Sequence, residues 1–159
     1  MYKIGYGFDA HRFSKESKLI IGGVEIPFES GLKGHSDADV LSHALCDALL
    51  GALGEGDIGS YFPDSDPTYK GMSSLVFLEK TMVLLNERGF EIENLDSVIV
   101  CEKPKIAPHI EQIKETLSQA LGVSSKSLGV KATTTDQMGF TGRGEGIAVH
   151  AVALIKTTN

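Results

Sequence analysis

The opening segment of the chain, residues 2–13 (YKIGYGFDAHRF), alternates between apolar residues and polar residues or glycines. A period of two is typical of a β-strand, in which successive side chains point to opposite faces. The other face contains Gly5 and Gly7, which leave room for another segment to lie against the strand. The apolar face is predicted to lie in the core and consists of Tyr2, Ile4, Tyr6, Phe8 and Ala10. The alternation therefore predicts a strand that the rest of the chain must cover.

The glycine face ends in two side chains of the kind that bind metal ions, Asp9 and His11. Residues two apart on a strand are separated by about 6.6 Å and point the same way. A carboxylate oxygen and an imidazole nitrogen can therefore converge on one cation, at about 2 Å each. The alternative is that both side chains simply lie on a solvated face, and a third ligand elsewhere decides between the two interpretations.

A helix is predicted to begin at Ser36 or Asp37, either of which can cap it, and to end near residue 53. Its apolar residues cover most of its surface, and Asp39, His43 and Asp47 form a narrow polar line at i, i+4 spacing. His43 is the candidate third metal ligand, and either aspartate of the line can orient its second ring nitrogen. The alternative is a solvated stripe in which an Asp/His pair merely stabilises the helix.

Glycines, prolines and apolar periodicity divide the rest of the chain into further elements. Residues 57–71 contain two glycines and two prolines and are predicted to be a loop, whose aspartates bind substrate hydroxyls or only form turns. Strand 97–102 is predicted to be buried on both faces. The remaining predictions are a hairpin over 19–21 and 24–28, a helix over 73–88, a helix from Pro108 to Gly122, and strands over 128–133 and 147–155.

Composition limits the classes of protein to consider. The chain has 159 residues, 42% hydrophobic and 23% charged, which predicts one domain over residues 1–159. Its formal net charge of -6 argues against binding of nucleic acid or of a membrane surface. No apolar run approaches the length of a membrane span, and the strand begins directly after Met1, so we expect a cytoplasmic protein without a signal peptide. Cys46 and Cys101 are predicted to be buried free thiols.

The segment TTTDQMGFTGRGEG, residues 133–146, follows a predicted strand and lacks the Gly-Lys-Ser/Thr of a phosphate-binding P-loop. Its threonines offer hydroxyls and amides, Lys131 and Arg143 add positive charge, and Asp136 is an oxygen ligand that suits Mg²⁺. Together these groups suit a diphosphate, although a threonine cluster also occurs simply for its β-propensity. His150, in the last strand, is predicted to be a hydrogen-bonded residue of the core or of a subunit interface.

Six motifs occur in order along the chain: GYGFDAHRF, IIGGVEIPF, GHSDADVLSHALCDALLG, GDIGSYFPDSDP, KPKIAPHI and VKATTTDQMGFTGRGEGIA. In this order and spacing they resemble the 2-C-methyl-D-erythritol 2,4-cyclodiphosphate synthase family of the non-mevalonate isoprenoid pathway. The resemblance implies a homotrimer of α+β subunits, each with a mostly β wall facing the threefold axis, helices outside, and active sites between subunits. It also implies the reaction, in which 4-diphosphocytidyl-2-C-methyl-D-erythritol 2-phosphate is converted to the cyclic diphosphate with release of CMP.

Carried over by position, the resemblance implies Zn²⁺ bound by Asp9, His11 and His43, the trio that the strand and helix patterns also suggest. It implies transition-state stabilisation by His35 and Thr134. It implies a cytidine pocket at residues 101–107. The full set of implied substrate contacts is Asp9, Ala10, His11, His35, Ser36, Asp57, Ile58, Gly59, Phe62, Pro63, Asp64, Ser65, Asp66, Cys101, Glu102, Lys103, Pro104, Lys105, Ile106, Ala107, Thr133, Thr134, Thr135, Asp136, Phe140 and Arg143.

The chain departs from the family at Asp136, where glutamate is common. That residue helps to hold a second divalent ion, Mg²⁺ or Mn²⁺, at the diphosphate. The aspartate side chain is one methylene shorter than glutamate. Asp136 can therefore bind the second ion either directly or through a bridging water. Some members of the family carry an acidic residue in a threefold cavity that can hold an isoprenoid diphosphate. This chain has His150 at that position, and the resemblance is not extended to isoprenoid binding.

Two other classes of function fit part of the sequence. A zinc hydrolase needs only the metal trio, since zinc-bound water would attack a phosphoester or an amide. A non-catalytic trimer that senses cytidine nucleotides or isoprenoid phosphates would bind CDP without turnover. The length of the motif match favours the synthase over both.

Overall fold

The structure is a computed structural model that describes residues 1–158. It is a mixed α+β single domain in which helices cover one face of a central sheet. The strands are β1 (Tyr2–Ser14), β2 (Leu19–Ile21), β3 (Val24–Ile26), β4 (Gly31–Leu32), β5 (Phe90–Val100), β6 (Leu128–Thr133) and β7 (Gly146–Thr157). The helices are α1 (Val40–Leu53), α2 (Ile58–Tyr61), α3 (Ser74–Glu87), α4 (Ile110–Leu121) and α5 (Gly139–Gly142). Short 3₁₀ turns occupy Pro67–Tyr69, Ala107–His109 and Ser125–Ser127.

The five strands of the main sheet lie in the order β4-β1-β7-β5-β6. β7 is antiparallel to both of its long neighbours, β1 and β5, whereas β6 is parallel to β5 at the sheet edge. The connection between the parallel pair contains α4, as parallel strands require a crossover. The predicted hairpin is confirmed as β2 and β3, which form a separate two-stranded ribbon.

The two faces of β1 are packed in the opposite sense to the prediction. The apolar side chains of Tyr2, Ile4, Tyr6 and Phe8 are exposed on a single chain. The glycine face packs against α1 instead, and a Cβ atom at Gly7 would overlap the carbonyl oxygen of Ala44. The glycines therefore do leave room for another segment, as predicted, and that segment is the backbone of the first long helix.

Helix α1 lies at the centre of the domain, against β1 and β7, with α3 packed beside it. Its cap is Asp39, not Ser36 or Asp37 as predicted, because the Asp39 carboxylate accepts hydrogen bonds from the Ser42 amide and hydroxyl. The same carboxylate accepts from the amides of Gly22 and Gly23, at 2.8 and 2.7 Å, in the turn between β2 and β3. Its complete burial raises the pKa of Asp39. Asp39 thus ties the β2–β3 hairpin to the start of the helix.

Strand β5 begins at Phe90, seven residues before the predicted start. Its burial alternates, since Ile99 is fully buried under the helices while Val98 and Val100 are half-buried on the other face. The prediction of burial on both faces was therefore wrong, because helices cover one side of the sheet only. That uncovered side is the one that also carries the exposed apolar residues of β1.

Several smaller predictions are confirmed or adjusted. The helix predicted over 73–88 is α3, with Ser73 as its cap, and the strand predicted over 128–133 is β6. The segment 57–71 is not purely a loop, since it contains α2 and a 3₁₀ turn. Pro108 lies in a 3₁₀ turn just before α4, and both cysteines are buried free thiols. Within residues 1–158, no helix combines the length and apolar character that a membrane crossing requires.

Candidate metal centre and binding pockets

Three side chains from β1 and α1 converge on one point. The Oδ2 atom of Asp9 lies 2.8 Å from Nε2 of His11 and 3.1 Å from Nδ1 of His43. The two histidine nitrogens are 3.2 Å apart. The pairing of strand and helix that brings them together depends on Gly7, because that glycine lets the helix backbone approach β1 next to His43. The structure therefore brings together the trio that the sequence predicted from two separate segments.

The trio fits a zinc ion. Zinc–nitrogen and zinc–oxygen bonds of about 2.0–2.1 Å in a tetrahedral site place neighbouring ligand atoms about 3.3 Å apart, close to the spacing of Asp9, His11 and His43. Two imidazoles and one carboxylate are also a donor set of catalytic zinc sites, which keep a fourth position open. Among residues 1–158, no other three metal-binding side chains come this close together.

The charges of the trio complement one another. Burial opposes ionisation of Asp9, but hydrogen bonds and charge from His11 and His43 outweigh it and hold the pKa of the carboxyl below its usual value. Burial likewise opposes protonation of His11, and the neighbouring Asp9 carboxylate raises the pKa of His11 in spite of it. Asp9 is thus kept as a carboxylate, which is the form that binds a cation.

Each histidine is held by its second nitrogen. His11 Nδ1 bonds to the carbonyl oxygen of Lys33 at 2.8 Å. His43 Nε2 bonds to Ser74 Oγ at 2.8 Å, so the prediction that an aspartate of the α1 polar line orients it was wrong. Asp39 is occupied with capping α1. Asp47 accepts from the Ile58 amide at 2.7 Å, so neither aspartate is available to His43.

The metal trio opens into a pocket of about 310 Å³. The implied substrate contacts that line it are His35, Ser36, Ile58, Gly59, Phe62, Pro63 and Asp64. His35 Nε2 is hydrogen-bonded to the carbonyl oxygen of Asp66 at 3.0 Å, which fixes its ring. Phe62 stacks on Phe77 with ring centroids 4.7 Å apart and forms an apolar wall. One pocket therefore gathers residues that are widely separated in the sequence, from Asp9 to Phe77.

Within residues 9–66, four of the implied contacts lie outside this lining. The Asp57 carboxylate caps α2 through the Ser60 amide at 2.9 Å, and Asp66 accepts from the Thr68 amide at 2.9 Å. These bonds match the alternative in which the aspartates form turns. Ser65 is exposed, and Ala10 lies on the exposed face of β1.

A second pocket, of about 300 Å³, lies at the edge strand β6. Its lining consists of Cys101, Glu102, Pro104, Lys105, Ile106, Ala107, Ala132, Thr133 and Thr134. The Glu102 carboxylate accepts from the amides of Thr135 and Gln137, at 3.2 and 3.1 Å, and so fixes the turn that follows β6. Burial raises the pKa of the Cys101 thiol to about 11, so this cysteine is a packed thiol.

The remaining predicted residues lie outside the lining of the second pocket. Lys103 and Arg143 line a neighbouring cleft of about 460 Å³, and Phe140 is exposed on α5. Asp136 has a left-handed backbone, with φ of 53°, and its side chain is exposed. Lys131 does not supply charge to the threonines, because it pairs with Asp96 at 2.6 Å.

The two pockets have no lining residue in common. Within one chain, the structure therefore does not bring the threonine turn and residues 101–107 into the pocket that contains the metal trio. One contacting residue was missed from the sequence, Ser74 behind His43, and the bonds of the implied contact Glu102 to the threonine turn were not foreseen. Both act across more than thirty residues of chain, and nothing in their local sequence distinguishes them.

Comparison with known proteins covers almost the whole chain. The model of the YgbB family matches residues 2–156. The chain belongs to the YgbB family. A 2-C-methyl-D-erythritol 2,4-cyclodiphosphate synthase from Syntrophotalea carbinolica is 55% identical over 98% of this chain and 94% of that protein. A synthase of the same name from Geotalea uraniireducens is 54% identical over 97% of this chain and 98% of that protein.

Solved structures of other proteins share the fold. The bifunctional IspDF from Campylobacter jejuni aligns with a TM-score of 0.96 at 38% identity, and the chain covers 43% of that longer protein. An IspF from Plasmodium falciparum in complex with CDP aligns with a TM-score of 0.87 at 30% identity over 99% of this chain and 97% of that one. By family, the chain is an enzyme of the cyclodiphosphate synthase type.

Proposed function

We propose that this chain converts 4-diphosphocytidyl-2-C-methyl-D-erythritol 2-phosphate to 2-C-methyl-D-erythritol 2,4-cyclodiphosphate and CMP, in non-mevalonate isoprenoid synthesis. The observation that carries the proposal is the Asp9, His11 and His43 cluster at the floor of a pocket, in a chain of the YgbB family. We further propose that residues 1–159 form one synthase domain that acts in the cytoplasm.

The reaction is an intramolecular phosphoryl transfer. An oxygen of the 2-phosphate bonds to the β-phosphorus while the bond from that phosphorus to the bridging oxygen breaks, and CMP leaves with the electron pair. Because the attacking phosphate is already an anion at neutral pH, no nucleophilic side chain or strong base is required. Positioning and charge stabilisation then account for the rate, as in other phosphoryl transfers.

Zinc held by Asp9, His11 and His43 would supply Lewis-acid polarisation of a phosphate oxygen. Around it, His35 and Ser36 face the same pocket and can donate hydrogen bonds to phosphate oxygens. Phe62, stacked on Phe77, forms an apolar wall on one side of this pocket. These residues orient the folded substrate and stabilise the charge that develops during transfer.

A second divalent cation, Mg²⁺ or Mn²⁺, is proposed near Asp136, with the substrate diphosphate providing further oxygen ligands. The carboxylate of Asp136 is exposed at a turn whose amides are already held by Glu102. Magnesium sites with one or two protein carboxylates usually retain waters, so the shorter aspartate can act through a water. The hydroxyl of Thr134 lies in the same turn and is proposed to contact the same phosphates.

The proposed assembly is a homotrimer with active sites between subunits. Two features support it. The sheet of a single chain leaves an apolar face uncovered, with Ile4 71% exposed, and such faces mark interfaces. The metal pocket and the proposed cytidine pocket lie apart on one chain, so a neighbouring subunit would complete each site.

Replacing Ile4 by aspartate is expected to dissociate the trimer, because assembly would bury an unpaired charge on the apolar sheet face. Light scattering coupled to gel filtration should show the mass of one chain where the wild type shows three, and turnover should fall with it. The matched control is Val83→Asp, since Val83 is 57% exposed on α3, away from the sheet. A trimeric, active Ile4→Asp variant would contradict this interface.

The proposed reaction is tested by its product. The metal-free protein is supplied with substrate, Zn²⁺ and Mg²⁺. Phosphorus NMR of the reaction mixture should then show a cyclic diphosphate, and chromatography should show an equimolar amount of CMP. A linear phosphate product would favour a zinc hydrolase. CDP binding without any turnover under the same conditions would favour the nucleotide sensor.

A further inference from the structure

A chain of hydrogen bonds runs from His43 through Ser74 to Asp37, two residues that do not line the metal pocket. Ser74 is the first residue of α3 and is fully buried, with its Oγ 2.8 Å from Nε2 of His43. The Ser74 hydroxyl is also hydrogen-bonded to Oδ1 of Asp37. The backbone amide of Ser74 donates to the other oxygen of the same carboxylate at 3.1 Å. Asp37 therefore accepts two hydrogen bonds from Ser74, and Ser74 in turn contacts the predicted metal ligand His43.

Only one arrangement of protons fits this chain when a cation binds the trio. The cation occupies the lone pair of His43 Nδ1, so the neutral ring carries its proton on Nε2. That N–H donates to Ser74 Oγ, which in turn donates its own hydrogen to the Asp37 carboxylate, a group that only accepts. The direction of hydrogen-bond donation is thus fixed, from His43 through Ser74 to the Asp37 carboxylate.

We propose that Ser74 and Asp37 are positioning residues for the metal centre. They hold the His43 ring in the tautomer and orientation that presents Nδ1 to the cation, and the Asp37 charge makes that nitrogen a better donor. Metal-bound histidines usually donate directly to a carboxylate or a carbonyl, and here a serine hydroxyl stands between the two. The inference rests on the proposed metal site.

Ser36 is the competing partner for the same nitrogen. Its Oγ lies 3.2 Å from His43 Nε2, which is longer than the bond from Ser74, and it also accepts from the Ala38 amide at 3.3 Å. Ser36 is half-buried and lines the pocket, so its hydroxyl is accessible to a substrate. The shorter bond and the buried anchor favour Ser74 as the group that fixes the ring.

The test uses the full chain, stripped of metal by a chelator and titrated with Zn²⁺ against a chromophoric competitor. Ser74→Ala is expected to weaken zinc affinity by about 10- to 100-fold, the usual effect of losing such a partner. Asp37→Asn is expected to weaken it about tenfold, because one of the two bonds to Ser74 is lost. The matched control is Ser73→Ala, because the exposed Ser73 caps α3 by accepting a hydrogen bond from the Leu75 amide, not from His43. It should lower the melting temperature of the metal-free protein and leave zinc affinity unchanged.

Each other outcome has a definite meaning. If Ser74→Ala lowers the melting temperature but not zinc affinity, the serine is only structural and the inference is overturned. If Ser36→Ala weakens zinc binding more than Ser74→Ala, the assignment to Ser74 is overturned as well. If Ser74→Ala does not fold, Asp37→Asn decides by the same titration. A wild-type protein that takes up no zinc would instead overturn the proposed metal site itself.

Discussion

Replacing His43 by alanine is expected to reduce turnover by at least about a thousandfold, which corresponds to roughly 4 kcal/mol of lost transition-state stabilisation. The substitution removes one of three closely spaced ligands and leaves Asp9 and His11 alone. Two protein ligands do not fix a catalytic zinc ion, so zinc content should fall together with activity. CMP release measures turnover, and atomic emission measures zinc per chain.

The control for this variant is His109→Ala. His109 is also a half-buried histidine, but it lies before α4 and lines neither the metal pocket nor the pocket at β6. That variant should retain zinc and activity. Circular dichroism and gel filtration should show that His43→Ala is still folded and has the same assembly state as the wild type. A His43→Ala protein with full zinc and full activity would refute the assignment of the metal ligand.

Replacing Gly7 by alanine is expected to destabilise the fold by more than about 3 kcal/mol. The added methyl group would overlap the carbonyl oxygen of Ala44 and lie 2.7 Å from the backbone nitrogen of Ala48. Both are backbone atoms, so no side-chain rotation relieves the overlap and α1 must move away from β1. Because Ala44 follows His43 directly, the same movement should draw that ligand away from Asp9 and weaken zinc binding.

Gly51→Ala provides a matched glycine substitution in the same layer. A Cβ atom at Gly51 would lie 3.6 Å from the Tyr6 carbonyl oxygen, an ordinary contact, and the residue is exposed on α1. Since alanine favours helix over glycine, this variant should be more stable than the wild type, by up to about 1 kcal/mol. Denaturant unfolding of both proteins gives the comparison. Equal stability of Gly7→Ala and the wild type would show that α1 does not approach β1 so closely.

The metal trio was predictable because each of its segments has a clear period. Asp9 and His11 follow from a period of two along β1, and His43 follows from a polar line on an otherwise apolar helix. Neither segment alone was decisive, since each also fitted a solvated surface. What decided between the interpretations was that two independent patterns called for the same cation.

The sense in which β1 packs could not be read from its alternation. An apolar face normally predicts the core, but here the side chains of Tyr6 and Phe8 are exposed on a single chain and the glycine face is packed. Period alone separates two faces and does not say which one meets a helix and which one stays uncovered on the chain. The start of β5 was not predicted, because the acidic residues Glu91 and Glu93 interrupt its apolar pattern. In the structure both of them pair with Lys156 on β7.

Long-range polar contacts were equally invisible in the sequence. Ser74 and Glu102 look like ordinary residues at a helix start and a strand end, and their partners lie 31 and 33 residues away. Side-chain hydrogen bonds of this kind depend on the tertiary arrangement and have no period. The separation of the two pockets on one chain also emerged only from the fold.

The metal trio joins the first strand to the central helix, so a cation bound there would affect how long the protein persists in a cell. A cation bound there would act as a removable cross-link, since ligand that binds only the folded state adds about 2.7 kcal/mol at a hundred times its dissociation constant. Under zinc starvation the metal-free chain would then be inactive and would also be degraded faster than the metal-bound chain. Metal supply would therefore control how much of this enzyme persists, in addition to how fast each copy works.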